Sequence, residues 1–290
     1  MENKNQWEIK SPVAILCVVV VGLLVGGAWF WPVPVKQHET SNSTETSLVK
    51  EVTIPIVWDD LGAKLIATGV IDREKWDEVY NVRGGLPAGT EKLVYGGYKG
   101  PVVMTENNAG VMLNLLWAFG LANKSSALTD GPMQSGGADG AGQFASTGGW
   151  GLGSGDPMDH YNQHTIISLS PAQQDLVNKV AKNIYRPCCN NSTYFPDCNH
   201  GMAMLGLLEL LAANGVKEDE MYRVALAVNG FWFPDNYETI DLYLKANGSS
   251  LAKADPKEIL GVDYSSASGY GKVAAQVVKR EKSLPGGCSF

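Results

Sequence analysis

The longest unbroken hydrophobic run in the chain is residues 12–31, PVAILCVVVVGLLVGGAWFW, which carries no charge. Twenty helical residues rise about 30 Å, the hydrocarbon thickness of a bilayer. Trp29 and Trp31 at one end, and Trp7 before the other, lie where interfacial aromatics lie. The run is longer than the core of a cleaved signal peptide. No Ala-x-Ala site follows it, only Trp31-Pro32-Val33-Pro34. The pattern predicts a single-pass transmembrane anchor at 12–31 behind a short tail, 1–11. Residues 32–50 (PVPVKQHETSNSTETSLVK) offer little to bury and read as a flexible tether.

From residue 51 onward the apolar spacing is mostly helical. A strand-like run at 52–57 is broken by Pro55. Asp59 or Asp60 is placed to cap a helix with Leu61, Leu65 and Ile66 on one face, and 72–80 sets Trp76, Val79 and Tyr80 together. Thr105 precedes a helix at 106–122 that is apolar nearly all round, as a central helix is. Asp156-Pro157 opens one or two helical turns over 157–164, and Ser170-Pro171 opens a helix running to 185. Further helices are predicted at 199–214, 217–229, 237–246 and 270–282. The fold class is mainly α: one multi-helix domain over 51–290 with a few short strands, preceded by the N-terminal anchor.

Residues 131–155 interrupt this pattern with ten glycines. They match neither a phosphate loop nor a nucleophile turn. A loop this long is either a surface excursion or a ligand-facing lid, here pinned by Phe144 and Trp150.

The net charge of −7 belongs wholly to 51–290, because residues 1–50 carry four lysines and four glutamates. An acidic domain with no basic run beyond Lys279-Arg280 is not built for nucleic acid. Lys4 and Lys10 before the span, against Lys36 alone in the fifteen residues after it, favour the tail inside. The C-terminal domain is then outside the cytoplasm, periplasmic or extracellular.

The rarest residues converge at 188–200. Three of the five cysteines are Cys188, Cys189 and Cys198, and His200, one of four histidines, follows two residues later. The spacing matches no standard zinc-finger or ferredoxin pattern. Cys198 falls at the start of a predicted helix, where partial positive charge favours a thiolate. Arg186 acts in the same direction and Asp197 opposes it. His160 and His164, four apart, would share a helical face and could chelate one ion. Thiolate and imidazole suit zinc, and with the nearby thioethers of Met158, Met202 and Met204 they suit copper. Met202 and Met204 read more simply as core residues. Glu209 reads as a helix-surface charge or as a partner to a ligand. Asn42, Asn123, Asn191 and Asn247 begin N-x-[ST] sequons.

These residues predict a copper or zinc site at Cys188, Cys189, Cys198 and His200, with His160 and His164 as further ligands. Two other expectations compete. Cys288, behind Gly286-Gly287, could act as the resolving thiol of a thiol–disulfide relay. Alternatively, the four cysteines of an exported domain could be staples of a binding or scaffold module. Cys189–Cys198 would then close a small loop and leave Cys188 for Cys288.

Overall fold

The computed structural model describes residues 49–136 and 140–283. The tail 1–11, the predicted span 12–31, most of the tether and Cys288 lie outside the described residues. Among the described residues, no helix is long and apolar enough to cross a membrane.

The domain begins with strand β1 (Glu51–Ile54), which pairs antiparallel with β2 (Val102–Thr105), setting Glu51 opposite Thr105 and Ile54 opposite Val102. Helices α1 (Leu61–Ala67), α2 (Arg73–Val82) and α3 (Glu91–Tyr95) fill the connection between the strands. Asp72 caps α2, its Oδ1 accepting from the Glu74 and Lys75 N–H groups. Asp60 precedes α1 but does not cap it; its Oδ1 instead accepts from Gly97 N at 2.7 Å. Thr105 likewise ends β2 rather than capping the next helix. Asn108 stands at that position and bonds backward, to Thr105 N and Val103 O.

Helix α4 (Ala109–Ala122) is buried along most of its length, as its all-round apolarity predicts. It packs against α7 (Asn199–Ala213), which is equally apolar. Glycines let the two backbones touch. A Cβ on Gly120 would lie 2.2 Å from Met202 O, and one on Gly206 would lie 2.5 Å from Leu116 O. The pair is the axis of the main core. Met202 and Met204 are buried in it, which is the simpler of their two readings.

Around this axis lie α5 (Ser126–Thr129), α6 (Pro171–Ala181), α8 (Glu218–Trp232) and α9 (Pro234–Ala246). The described residues end with α10 (Pro256–Ile259), α11 (Val262–Ser265) and α12 (Ala267–Ser283). Helix α6 carries the full capping box that Ser170-Pro171 implies, with Gln173 as its return partner. It stops at Ala181 rather than 185, because Tyr194 N and Thr193 N take the Ala181 and Ile184 carbonyls. A smaller core of Tyr237, Ile240, Leu244, Leu251, Ile259 and Val273 joins α9 to α12.

The predicted helical turns over 157–164 are a correction. Only a 3-10 turn, Pro157–Asp159, forms, and Asn162 then adopts φ 57°. Asn123 explains why the chain leaves the helical path. Its Oδ1 accepts from Ile166 N and Ile167 N, while Ala122 O and His164 O join the ladder beside it. Asn123 is fully buried and both its amide atoms are bonded, so this fold leaves no room for a glycan there.

The glycine-rich loop is pinned as its aromatics suggest. Trp150 is buried, donates to Val70 O and meets Trp117 edge-on. Phe144 packs edge-on against Phe195, and Ser146 N donates to Asp197 O. The loop thus buttresses the far side of the segment carrying the cysteines.

Candidate metal centre

The cysteine segment runs from the end of α6 to the start of α7 and is fixed at both ends. Tyr185 N donates to Leu260 O, Ala267 N at the start of α12 donates to Cys189 O, and Ser268 N donates to Asn190 Oδ1. Thr193 Oγ1 donates to Ile184 O and closes the turn.

Arg186 organises the interior of this loop. Its side chain is fully buried. Nε donates to Cys198 Sγ at 3.2 Å, Nη1 to Asn191 O at 3.1 Å, and Nη2 to Phe195 O at 3.3 Å and to Asp197 Oδ1 at 2.9 Å. Asn191 Nδ2 holds the other Asp197 oxygen at 2.8 Å. Asp197 therefore neutralises Arg186 more than it repels Cys198. The guanidinium lies against the first turn of α7 because residue 201 has no side chain. A Cβ on Gly201 would come within 2.5 Å of Nη2.

Cys198 is the N-cap of α7, and its Sγ accepts from Gly201 N at 3.4 Å. Hydrogen bonds from the neighbouring thiols of Cys188 and Cys189, with the Arg186 charge, hold it well below the usual thiol range. Cys188 moves the opposite way: its hydrogen bonds to the other two sulfurs keep it protonated. The cluster is thus poised as one thiolate solvated by its neighbours. Burial holds His200 below the ordinary imidazole value, against the pull of Cys198, so it is a neutral donor at neutral pH.

Cys188, Cys198 and His200 place their donor atoms within 4.8 Å of one another, and Cys189, Asp197 and Cys198 form a second such group. The sulfurs of Cys188 and Cys198 are 3.6 Å apart, and all three cysteines of the segment are free thiols. An ion about 2.3 Å from both sulfurs would subtend an angle of roughly 100°, close to tetrahedral. The two sulfurs are therefore spaced to share one ion.

The second pair of histidines stands elsewhere. His160 Nε2 lies 2.8 Å from Ser154 O, so this nitrogen carries a proton; His160 Nδ1 then accepts from His164 Nε2 at 3.1 Å. The two do meet, through a turn rather than a shared helical face. Neither belongs to a metal-competent group of three among the described residues.

Sequence reasoning missed the wall of the site. His200 packs against Phe233 at 4.5 Å and Trp232 at 5.9 Å between centroids. The run Phe231-Trp232-Phe233-Pro234, at the junction of α8 and α9, was a signal for it. It also misplaced Glu209, which is buried in α7 and receives Asn123 Nδ2 at 2.8 Å on Oε2, while Oε1 has no partner.

Comparison with known proteins finds no matching family model, no matching curated protein and no matching solved structure.

Proposed function

We propose that this chain is a membrane-anchored, extracytoplasmic metal-binding protein whose ion is held by Cys188, Cys198 and His200. The observation that carries this reading is the convergence of two sulfurs, 3.6 Å apart, and one imidazole, with all three donor atoms within 4.8 Å of one another. Around them is a buried hydrogen-bonding shell that favours the deprotonated sulfur. Such shells orient ligands and tune a metal as much as the ligands do.

Copper(I) and zinc are the ions this donor set selects. Three donors suffice for copper(I). Zinc asks for a fourth, which water supplies beside the exposed Cys188. The charges agree with either ion. Arg186 and Asp197 cancel, leaving the thiolates to neutralise the metal. His160 and His164 are not needed in this reading, and the membrane is engaged through residues 12–31.

Anaerobic titration of the reduced chain with zinc and with copper(I), followed by elemental analysis, tests it. One ion per chain is expected. Cys198→Ser should weaken binding by at least about a hundredfold, because loss of a whole ligand exceeds the 10–100-fold cost of losing an outer partner. Cys288→Ser should leave binding unchanged. Equal affinity in the Cys198 variant would sink the assignment. A relay resolved by Cys288 instead predicts a mixed disulfide trapped in Cys288→Ser. A stapled scaffold predicts stable disulfides and no ion.

A further inference from the structure

The two sulfurs assigned to the ion are also placed to bond to each other. Cys198 Sγ is held by hydrogen bonds from Arg186 Nε and from Gly201 N at the start of α7. Cys188 is exposed, and its sulfur already lies 3.6 Å away. A disulfide bond is about 2.05 Å long, so the Cys188 sulfur has about 1.5 Å to travel. Its neighbour Cys189 also lies within 4.8 Å of Cys198 Sγ, but it is less exposed than Cys188 and its Sγ also bonds to Asn191 O at 3.8 Å. The backbone there is held by Cys189 N on Arg186 O and by Ala267 N on Cys189 O. Side-chain rotation at Cys188 is the available motion.

We propose that Cys188 and Cys198 are an exchangeable dithiol whose substrate is an external disulfide, and that closing their bond dismantles the metal site. The disulfide step stands on this geometry alone. Its coupling to metal release rests on the metal reading above.

The step balances as a two-electron exchange. Cys188, the accessible sulfur, passes its proton to the Cys198 sulfur 3.6 Å away and attacks one sulfur of R–S–S–R. That bond breaks and one thiolate leaves, taking the proton from Cys198 as RSH. Cys198 Sγ then attacks the sulfur of Cys188 in the mixed disulfide and expels the second thiolate, which takes a proton from solvent. One protein thiol and one protein thiolate are oxidised to a disulfide, and one external disulfide is reduced to two thiols with one solvent proton.

The reverse reaction is favoured by the same surroundings. A reducing thiol reaches Cys188 from solvent and displaces Cys198, a good leaving group because Arg186 and the helix terminus stabilise its thiolate. Oxidation removes both sulfur ligands at once and leaves His200 alone, which cannot retain the ion. Metal and disulfide therefore exclude each other.

The test uses the full-length chain in detergent, reduced and metal-free, exposed to oxidised glutathione and then alkylated without reduction. Cleavage before Asp197 separates Cys188 and Cys189 from Cys198. The expected product is a Cys188–Cys198 cross-link that forms in Cys189→Ser and not in Cys188→Ser. Zinc-loaded chain should resist oxidation and, when it reacts, should release zinc in step with loss of the two thiols. Cys198 left alkylatable in Cys189→Ser, or paired with Cys189 or Cys288 in the unsubstituted chain, overturns the proposal. A Cys188–Cys198 bond in a chain that binds neither zinc nor copper(I) overturns the coupling and the metal reading together. Metal binding without that bond overturns the exchange and leaves the metal reading intact.

Discussion

Replacing Arg186 with alanine is expected to lower the unfolding free energy by about 3 kcal/mol, the lower part of the range for removing one partner of a buried ion pair. The lower part applies because the Asp197 side chain keeps 20% exposure. The loss has several sources. Asn191 O and Phe195 O lose their donor, Asp197 loses its counter-charge, and the space beside Gly201 empties. Arg186→Lys should recover only part of the loss, since an ammonium restores the charge but not the planar set of donors. Urea denaturation of the metal-free chain measures this directly. A change below about 1 kcal/mol would mean that the loop does not depend on the guanidinium. Both variants should also weaken metal binding, because Cys198 Sγ loses the Nε–H bond that supports it.

The second large effect is at Glu209. Burial pushes its carboxyl up to about 8, only partly offset by the Asn123 amide. The folded chain therefore holds this proton at neutral pH, whereas the unfolded chain releases it near the ordinary glutamate value. Between those two values the unfolded state binds fewer protons, so stability falls as pH rises. The contribution is fully present in mild acid and is lost as pH passes through about 8. Glu209→Gln keeps a neutral group of the same shape. It should stabilise the fold by several kcal/mol at pH 9, on the order of 3–5 from the width of the window, and by little at pH 5. Thermal denaturation across that range measures it. A glutamine variant with the same pH dependence as the native chain would place the titration elsewhere.

Glu209 also shows where the sequence stops being legible. One carboxylate in an apolar helix is ordinarily turned to solvent. What turns it inward is Asn123, 86 positions away, whose amide serves Glu209 on one side and the Ile166–Ile167 backbone on the other. No periodicity encodes such a partner. The His160 and His164 pair failed differently. Their spacing does bring them together, but Asn123 and Asn162 divert the chain from a helix, and the rings meet across a turn.

Local signals were read well. The Ser170-Pro171 start, the apolar α4 and α7, and Cys198 at a helix N-terminus all follow from near neighbours in sequence. Arg186 near the cysteines was legible, but its fourfold bonding was not, because it depends on carbonyls presented by the folded loop. The aromatic wall came from α8 and α9, whose approach to His200 is a matter of tertiary packing.

The most direct measurement is X-ray absorption on the reduced, full-length chain loaded with zinc or copper(I). The account predicts a first shell with two sulfur scatterers at about 2.3 Å and one imidazole nitrogen at about 2.0–2.1 Å. Both sulfurs should persist in Cys288→Ser and fall to one in Cys188→Ser. A shell of oxygen and nitrogen alone, or a chain that retains neither ion, would contradict it.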